Sequence, residues 1–177
     1  MDLRTERTKK CIINAFIELR SKKPIEKITV KELSEAALVH KATFYNHYQD
    51  IYDLSEQLEN ELIETVLNNI ECPDNMINNP QQTTRSLSVA MQSQSELIKI
   101  LFSGSREGVF IQKLNKQLKE LLYKQFPQFK DNLEFDVALS FLIQGSYYTV
   151  SNYSNKDYSK VLDILGNISE TLMDKFK

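Results

Sequence analysis

Glycine is scarce in this chain, and its scarcity limits the folds that the sequence can adopt. Four of the 177 residues are glycine, whereas a protein built from β-hairpins needs glycine at many tight turns with positive φ. Apolar residues make up 41% of the chain and charged residues 26%, which is typical of a globular domain and not of a disordered one. The sequence therefore predicts an all-α globular protein.

Several classes of protein are disfavoured by the same sequence. No apolar stretch approaches the roughly 20 residues of a membrane-spanning helix, and the apolar run at 11–13 is too short for a signal peptide. Cys11 and Cys72 are too few for a disulfide framework, and His40 and His47 offer no zinc-site spacing with them. We expect a cytoplasmic protein with reduced cysteines, no metal, no cofactor and no membrane partner.

Catalytic motifs are also missing from the sequence. It contains no glycine-rich phosphate loop, no nucleophile elbow and no metal-ligand spacing. Neither histidine has an obvious carboxylate partner. We therefore do not expect an enzyme.

Apolar spacing and capping signals predict four helices in the first 70 residues. The stripe of the first helix, from about residue 4 to 22, consists of Ile12, Ala15, Phe16 and Leu19. Pro24 ends this helix, and Thr29 with Glu32 forms a capping box at the start of the second. A third short helix near 40–47 turns Phe44 inward, and Asp50 caps a long fourth helix that reaches about residue 69.

The rest of the chain is predicted to be helical as well. Residues 71–82 hold two Pro and four Asn or Asp, which predicts a linker. Helices resume at about 83–92, 94–103, 106–125, 130–152 and 157–176, which makes about nine in total. We expect two domains, a three-helix domain over residues 1–50 and a C-terminal helical bundle over residues 51–177.

Charge is unevenly distributed along the chain. Residues 1–50 carry ten Lys and Arg against seven Asp and Glu, a net charge of +3, and the remaining residues carry −5. A local positive surface attracts phosphate over about a Debye length of ~10 Å, even when the whole chain is near neutral. The excess is compatible with a polyanion partner for the N-terminal region, but taken alone it favours an ordinary solvated helix face.

The second and third predicted helices are joined by a three-residue turn, Leu38 to His40, and form a helix-turn-helix. In such a unit the second helix can lie in the major groove of double-stranded DNA. Two short helices bury too little surface alone, and the first helix supplies the necessary support. The N-terminal domain is therefore predicted to be a helix-turn-helix domain.

The residues around this turn match a known family. The segment ITVKELSEAALVHKATFYNHY, residues 28–48, followed by residues 50–54, resembles the N-terminal domain of the TetR/AcrR transcriptional regulators. The resemblance covers about residues 8–60, and the rest of the chain agrees only in helix pattern and length. It implies a sequence-specific DNA-binding regulator, a ligand-responsive repressor that acts as a homodimer on a palindromic operator.

The resemblance also implies roles for individual side chains. Lys31, Lys41 and Ala42 would lie closest to base edges, and a lysine at the start of a recognition helix can reach guanine O6 and N7. The residues that would contact phosphate are Thr29, Thr43, Tyr45 and His47. Hydroxyl, phenol and imidazole groups hydrogen-bond phosphate oxygens without reading sequence. Phe44 and Tyr48 would pack in the core.

Three positions depart from the pattern of the family. Leu38 stands where the turn usually has glycine, so a positive φ there would store strain of about 1 kcal/mol. His40 replaces the frequent Ser or Thr cap of the recognition helix and could contact DNA instead. Ile51 replaces a phosphate-binding lysine, so affinity would depend more on a basic N-terminal arm. The arm consists of Arg4, Arg7, Lys9 and Lys10.

Two apolar helices near the end of the chain are expected to hold the dimer together. The face of the penultimate helix comprises Leu133, Val137, Phe141 and Tyr148. The face of the last helix comprises Leu162, Leu165, Ile168, Leu172 and Phe176. This surface is larger than one protomer would cover, and the resemblance implies a four-helix dimer interface. The alternative is an ordinary core within one chain.

Aromatic residues are frequent in the region in which the family encloses a small molecule. The candidate pocket residues are Phe102, Phe110, Tyr123, Phe141 and Tyr147, with core packing as their alternative fate. No cluster of Arg or His favours an anionic effector, so an apolar or aromatic compound fits best.

A second function is open on the same sequence. The departures at Leu38 and Ile51 are also compatible with a helical sensor or scaffold protein that has lost operator binding. A gel-shift assay on the gene's own upstream DNA, at low and high salt, distinguishes the two functions.

Overall fold

The structure, a computed structural model, describes residues 3–70, 74–106, 108–153 and 156–177. Within these ranges the chain forms ten α-helices and short 3₁₀ turns with no strand, which confirms the all-α prediction. The helices are α1 (Leu3–Arg20), α2 (Val30–Ala36), α3 (Lys41–Tyr45), α4 (Ile51–Leu67), α5 (Asn75–Asn78), α6 (Pro80–Ser93), α7 (Ser95–Leu101), α8 (Val109–Gln125), α9 (Leu133–Tyr153) and α10 (Tyr158–Met173). No helix in the described ranges has the length and apolar character needed to cross a membrane.

The chain divides into two compact units. The first unit comprises Met1–Leu62 and Glu96–Glu107, and the second comprises Ile63–Ser95 and Gly108–Lys177. Helix α4 passes from the first unit into the second, and α7 brings the chain back to the first. These units are defined by packing, whereas the division predicted at residue 50 separates DNA binding from sensing and dimerisation. That functional division stays a prediction.

The first unit packs its short helices against α1 around a small apolar core. Its most deeply buried side chains include Ile12, Phe16, Ile25, Leu33, Phe44 and Leu54. Phe44 is 0% exposed and Tyr48 is 5% exposed, so the predicted packing of both rings is confirmed. Helices α2 and α3 contact each other, and α2 contacts α1, which gives two short helices the tertiary support that they need.

One half of the predicted capping box is present at the start of α2. The Thr29 hydroxyl accepts a hydrogen bond from the Glu32 amide at 3.2 Å. The Glu32 carboxylate pairs with the Lys23 ammonium instead of returning to the cap. The start of α2 is therefore fixed by Thr29, while Glu32 ties the helix to the segment that follows α1.

The predicted cap of α4 is confirmed. The Asp50 carboxylate accepts hydrogen bonds from the amides of Tyr52 and Asp53, both at 2.8 Å, and so satisfies two donors of the first turn. The Asp53 carboxylate accepts from the Gln49 amide at 2.8 Å and from the Gln57 side chain. These hydrogen bonds hold the pKa of Asp53 below its usual value.

The second unit has an apolar interior. Its buried side chains include Leu114, Leu118, Leu122, Phe135, Leu139, Leu162 and Leu165. The Phe135 ring stacks on Phe129 with centroids 4.3 Å apart and meets Phe176 edge-on at 5.0 Å. Helices α6 and α10 approach closely at Gly166, where a Cβ would lie 2.5 Å from Cγ of Gln81.

The segment predicted to be a linker contains helical structure. Residues 71–73, including Cys72, lie outside the described residues, but α5 occupies Asn75–Asn78 and α6 begins at Pro80 rather than near residue 83. Packing explains α5, because Met76 and Ile77 are 7% and 3% exposed. The start of α6 had a local signal, since the Asn79 side chain accepts from the Gln82 amide and proline suits the first helical position.

Part of the stripe predicted on the last helix faces the chain's own core. Leu162 and Leu165 are 3% and 6% exposed and pack with Val150, so their assignment to the dimer surface is wrong. Ile164 and Ile168 are 50% and 43% exposed. Helix α10 carries apolar residues on two faces, and only its neighbours decide which face is covered.

Candidate nucleic-acid interface

The turn between α2 and α3 places Leu38 in the left-handed region. Its φ is +56°, and its amide donates to the Glu35 carbonyl at 3.2 Å while the Val39 amide donates to the Ser34 carbonyl at 3.0 Å. This pair of bonds is the Schellman pattern that ends many helices, in which glycine normally takes the left-handed position. The side chain is 93% exposed, so Leu38 gains little packing for a strain of about 1 kcal/mol.

The start of α3 lacks a side-chain cap. His40 has the extended backbone of a capping residue, with φ −72° and ψ 149°, but its imidazole makes no capping hydrogen bond. The α-helix covers Lys41–Tyr45, which is shorter than the predicted span of 40–47. The exposed His40 ring is therefore not committed to the cap.

Helix α3 buries one side chain and leaves the others accessible. Phe44 is 0% exposed, whereas Lys41 and Ala42 are exposed and Thr43 is half-buried. The Tyr45 ring lies edge-on to Phe44, with centroids 5.5 Å apart, and remains 56% exposed. Because Phe44 is the one buried side chain of α3, most of the surface of this helix is accessible.

The other candidate residues lie at the start of α2 and after α3. Thr29 and Lys31 are exposed, and because the Thr29 oxygen acts as an acceptor in the cap, its hydroxyl proton can be donated to a phosphate. His47 is half-buried beside Tyr48, with ring centroids 6.2 Å apart. All eight sequence-predicted DNA-binding residues thus have accessible side chains in the first unit.

A shallow polar depression joins α1 to the end of α3. It is lined by Thr5, Thr8, Lys9, Thr43, Asn46 and His47. The structure therefore brings one lysine of the basic arm together with two of the predicted phosphate contacts. Sequence reasoning missed Thr5, Thr8 and Asn46, although the two threonines and Lys9 follow the i, i+3, i+4 spacing of one helix face.

The cations of the first unit fall into two groups. Lys22 pairs with Glu18, and Lys23 pairs with Glu32. Several other cations of the described first unit have no carboxylate within ion-pair distance. They include Arg7, Lys9 and Lys10 of the predicted arm, Lys31 and Lys41 of the helix-turn-helix, and Lys27 and Lys99 outside both. The side chain of Arg4 lies outside the described part. The cations of the arm and of the helix-turn-helix can attract phosphate.

A buried ion pair joins α4 to Arg106 within the first unit. The Glu59 carboxylate of α4 is 0% exposed and is held by the Arg106 guanidinium, whose Nε donates at 2.9 Å and whose second nitrogen also donates. This hydrogen bonding raises the pKa of Arg106. The Ser55 hydroxyl donates to the same carboxylate at 3.1 Å. No sequence signal indicated the pair, because 47 residues separate its partners.

Arg20 is the second buried charge of this unit. Its guanidinium donates to the carbonyls of Lys23 and Leu101 and to the Ser103 hydroxyl, at 3.0–3.1 Å, and burial lowers its pKa. Ile51, at the position of a lysine in the family, is 5% exposed and belongs to the core. Arg20 thereby joins the end of α1 to the end of α7 and to Ser103.

The candidate pocket residues do not gather in one place. Phe102 is buried in the first unit, whereas the other four belong to the second. There, Phe110 and Tyr147 contact each other with ring centroids 5.6 Å apart, and Phe141 is 65% exposed. The second unit contains an apolar cavity of about 60 Å³, and none of the five lines it.

Comparison with known proteins does not assign the chain to a family. A scan against models of protein families gives no match. A search of curated proteins finds no significant similarity. The described residues contain no group of three or more His, Cys, Asp or Glu that could hold a metal ion.

Proposed function

We propose that this protein is a DNA-binding transcriptional regulator, a repressor that acts as a homodimer on a palindromic operator. The observation that carries the proposal is the geometry of α2, the Leu38 turn and α3, in which α3 buries Phe44 and leaves Lys41, Ala42 and Tyr45 exposed. The resemblance of residues 28–48 to the TetR/AcrR regulators supports the same function.

The side chains of this surface divide into two roles in the proposal. Lys41 and Lys31, with Ala42 and His40, read base edges in the major groove, where a bidentate contact discriminates by about 1–3 kcal/mol. The residues that hold the phosphate backbone are Thr29, Thr43, Tyr45 and His47. The depression lined by Lys9 and His47 extends the phosphate contacts to α1, and such contacts make affinity strongly dependent on salt.

Fluorescence anisotropy with the gene's own upstream DNA tests this function. We expect binding that weakens steeply with salt, and we expect Lys41→Ala to lower the affinity for that DNA more than for random DNA. Lys160→Ala is the control, because it removes an exposed lysine of α10 in the second unit. Absence of binding at low and high salt would favour the sensor or scaffold alternative.

The proposed dimer uses the outer surface of α9 and α10. Four exposed apolar side chains follow one line along α9, namely Leu133, Val137, Phe141 and Tyr148, which are 76%, 58%, 65% and 52% exposed. A groove lined by Val137, Phe141 and Leu172 links them to α10, where Ile164 and Ile168 are also exposed. A second copy is the proposed occupant, since a two-fold interface matches a palindromic operator.

Light scattering tests the dimer. Phe141→Glu combined with Ile168→Glu would place charges in the interface and should give a folded monomer, because burial of unpaired charge costs several kcal/mol. Val89→Glu on α6 is the matched control, because Val89 is 49% exposed outside this surface. If the double variant remains dimeric, the interface does not lie on this surface of α9 and α10.

A further inference from the structure

Both histidines of the chain lie on the surface that is proposed to bind DNA. The sequence contains two histidines among its 177 residues. His40 directly precedes α3 and is exposed, whereas His47 follows α3 and is half-buried. Histidine is the side chain that ordinarily changes its charge between about pH 5 and 8. The residues of this type are therefore concentrated where a polyanion would bind.

His40 has no partner that fixes its protonation state. Its imidazole makes no capping hydrogen bond, and no carboxylate of the described residues lies within ion-pair distance of it. The charged residues nearest to it in sequence are Lys41 of α3 and Glu35 of α2. An exposed ring in this position can take up a proton when a negative group approaches.

His47 lies in the polar depression between α1 and the end of α3. Lys9 of α1 and Thr43 of α3 line the same depression. Burial and, to a lesser extent, nearby carboxylates raise the pKa of the neighbouring Tyr48, and these carboxylates are Glu6, Asp53 and Glu61. Within the described chain none of the three forms an ion pair with His47. A phosphate in the depression would therefore meet one permanent cation, Lys9, and one cation that depends on pH.

We propose that DNA binding at this surface is coupled to proton uptake by His40 and His47, so that the protein binds DNA more tightly as the pH falls. This inference rests on the proposed function, because the DNA supplies the negative charge. An opposite charge within about 4–6 Å favours the charged form of a titratable group. A protonated imidazole also has two N–H donors instead of one donor and one acceptor.

The direction of the effect follows from linkage. If bound DNA favours the protonated rings, then protonation of the rings favours bound DNA by the same factor. Affinity should therefore be highest where the rings of the free protein are already protonated, below about pH 6, and should fall as the pH rises towards about 8. A homodimer would contribute both rings twice, once in each half-site.

Fluorescence anisotropy at two pH values tests the coupling. Full-length protein is titrated with the gene's own upstream DNA at about pH 6 and about pH 8, at one ionic strength, and the readout is the ratio of the two Kd values. We expect the Kd to be at least about 10-fold lower at the acidic pH. The double variant His40→Gln with His47→Gln should bring the ratio close to 1, because glutamine has no charge at either pH. Each single variant should remove part of the ratio.

Lys41→Gln is the matched control, because it removes a permanent charge from the same surface. It should weaken binding at both pH values and leave the ratio unchanged, and circular dichroism at both pH values checks the fold of every variant. A ratio near 1 in the unsubstituted protein overturns the inference. A full ratio in the double variant also overturns it, because another group, such as the terminal amine, would then be responsible. Absence of DNA binding at both pH values would instead contradict the proposed function itself.

Discussion

The two units differ in what they bury. Both buried charged residues of the described chain, Arg20 and Glu59, lie in the first unit, and each has specific partners. In the described part of the second unit the buried polar residues are three hydroxyl residues, Thr83, Ser88 and Ser169. The second unit also holds the cavity.

Because of this difference, we expect the first unit to be the more rigid one and the second unit to be the more adaptable one. A buried charge is tolerated only in one hydrogen-bonded geometry, so Glu59 and Arg20 fix the elements that support the helix-turn-helix. An apolar interior with a small void tolerates repacking at little cost. The first unit therefore suits the constant presentation of the proposed DNA-binding surface, and the interior of the second unit suits repacking.

The largest effect on stability is expected when the partner of the buried Glu59 carboxylate is removed. Arg106→Met removes the guanidinium that pairs with the buried Glu59 carboxylate, and should lower the free energy of unfolding by about 3 kcal/mol. Urea denaturation followed by circular dichroism measures the loss. Exchange of both Glu59 and Arg106 for Met should restore most of the lost free energy of unfolding, because neither charge of the pair is then present.

The matched control breaks an exposed pair in the second unit. Arg85 and Asp163 lie 2.7 Å apart, with side chains 47% and 59% exposed. Arg85→Ala should therefore cost less than about 1 kcal/mol. Equal losses for Arg85→Ala and Arg106→Met would remove the proposed difference between the units.

A smaller effect is expected at the strained turn of the first unit. Leu38→Gly should stabilise the protein by about 1 kcal/mol, because glycine adopts φ +56° without steric cost. Ala36→Gly, two residues earlier in the helical region, should destabilise it by a similar amount. Thermal unfolding of both variants checks the signs, and a loss of stability in Leu38→Gly would show that the leucine side chain is needed.

The smallest effect concerns a half-buried network in the second unit. Tyr123 donates to Asp136 at 2.6 Å, and Asp136 also pairs with Lys119. Burial, with the hydrogen bond to Asp136, raises the pKa of Tyr123 to about 12. Since the folded pKa exceeds the unfolded value of about 10, this stabilisation is complete below pH ~10 and is lost as the pH rises towards 12.

Tyr123→Phe should therefore lose about 0.5–1 kcal/mol at pH 8 and less at pH 11. Urea midpoints at the two pH values measure the change. Tyr153→Phe serves as the control, because that ring is 52% exposed, and it should cost little stability. A loss at Tyr123 that is the same at both pH values would contradict the assigned network.

Local signals account for what the sequence predicted correctly. Thr29 and Asp50 cap helices through contacts within four residues, and the inward position of Phe44 follows from helical spacing. The Glu59–Arg106 pair and the cavity could not be predicted in this way, because they join residues that are distant in sequence. The buried position of Leu165 required the same tertiary information.

The central claim is that the surface of α3 reads DNA, and selection from random duplexes tests it most directly. Purified full-length protein should enrich a two-fold symmetric site whose half-sites are centred about 10 base pairs apart, or a multiple of that spacing. Lys41→Ala should flatten the preference at one base pair in each half-site, while Tyr45→Phe should weaken binding without changing the sequence preference. Failure to enrich any sequence over the starting pool would contradict the claim.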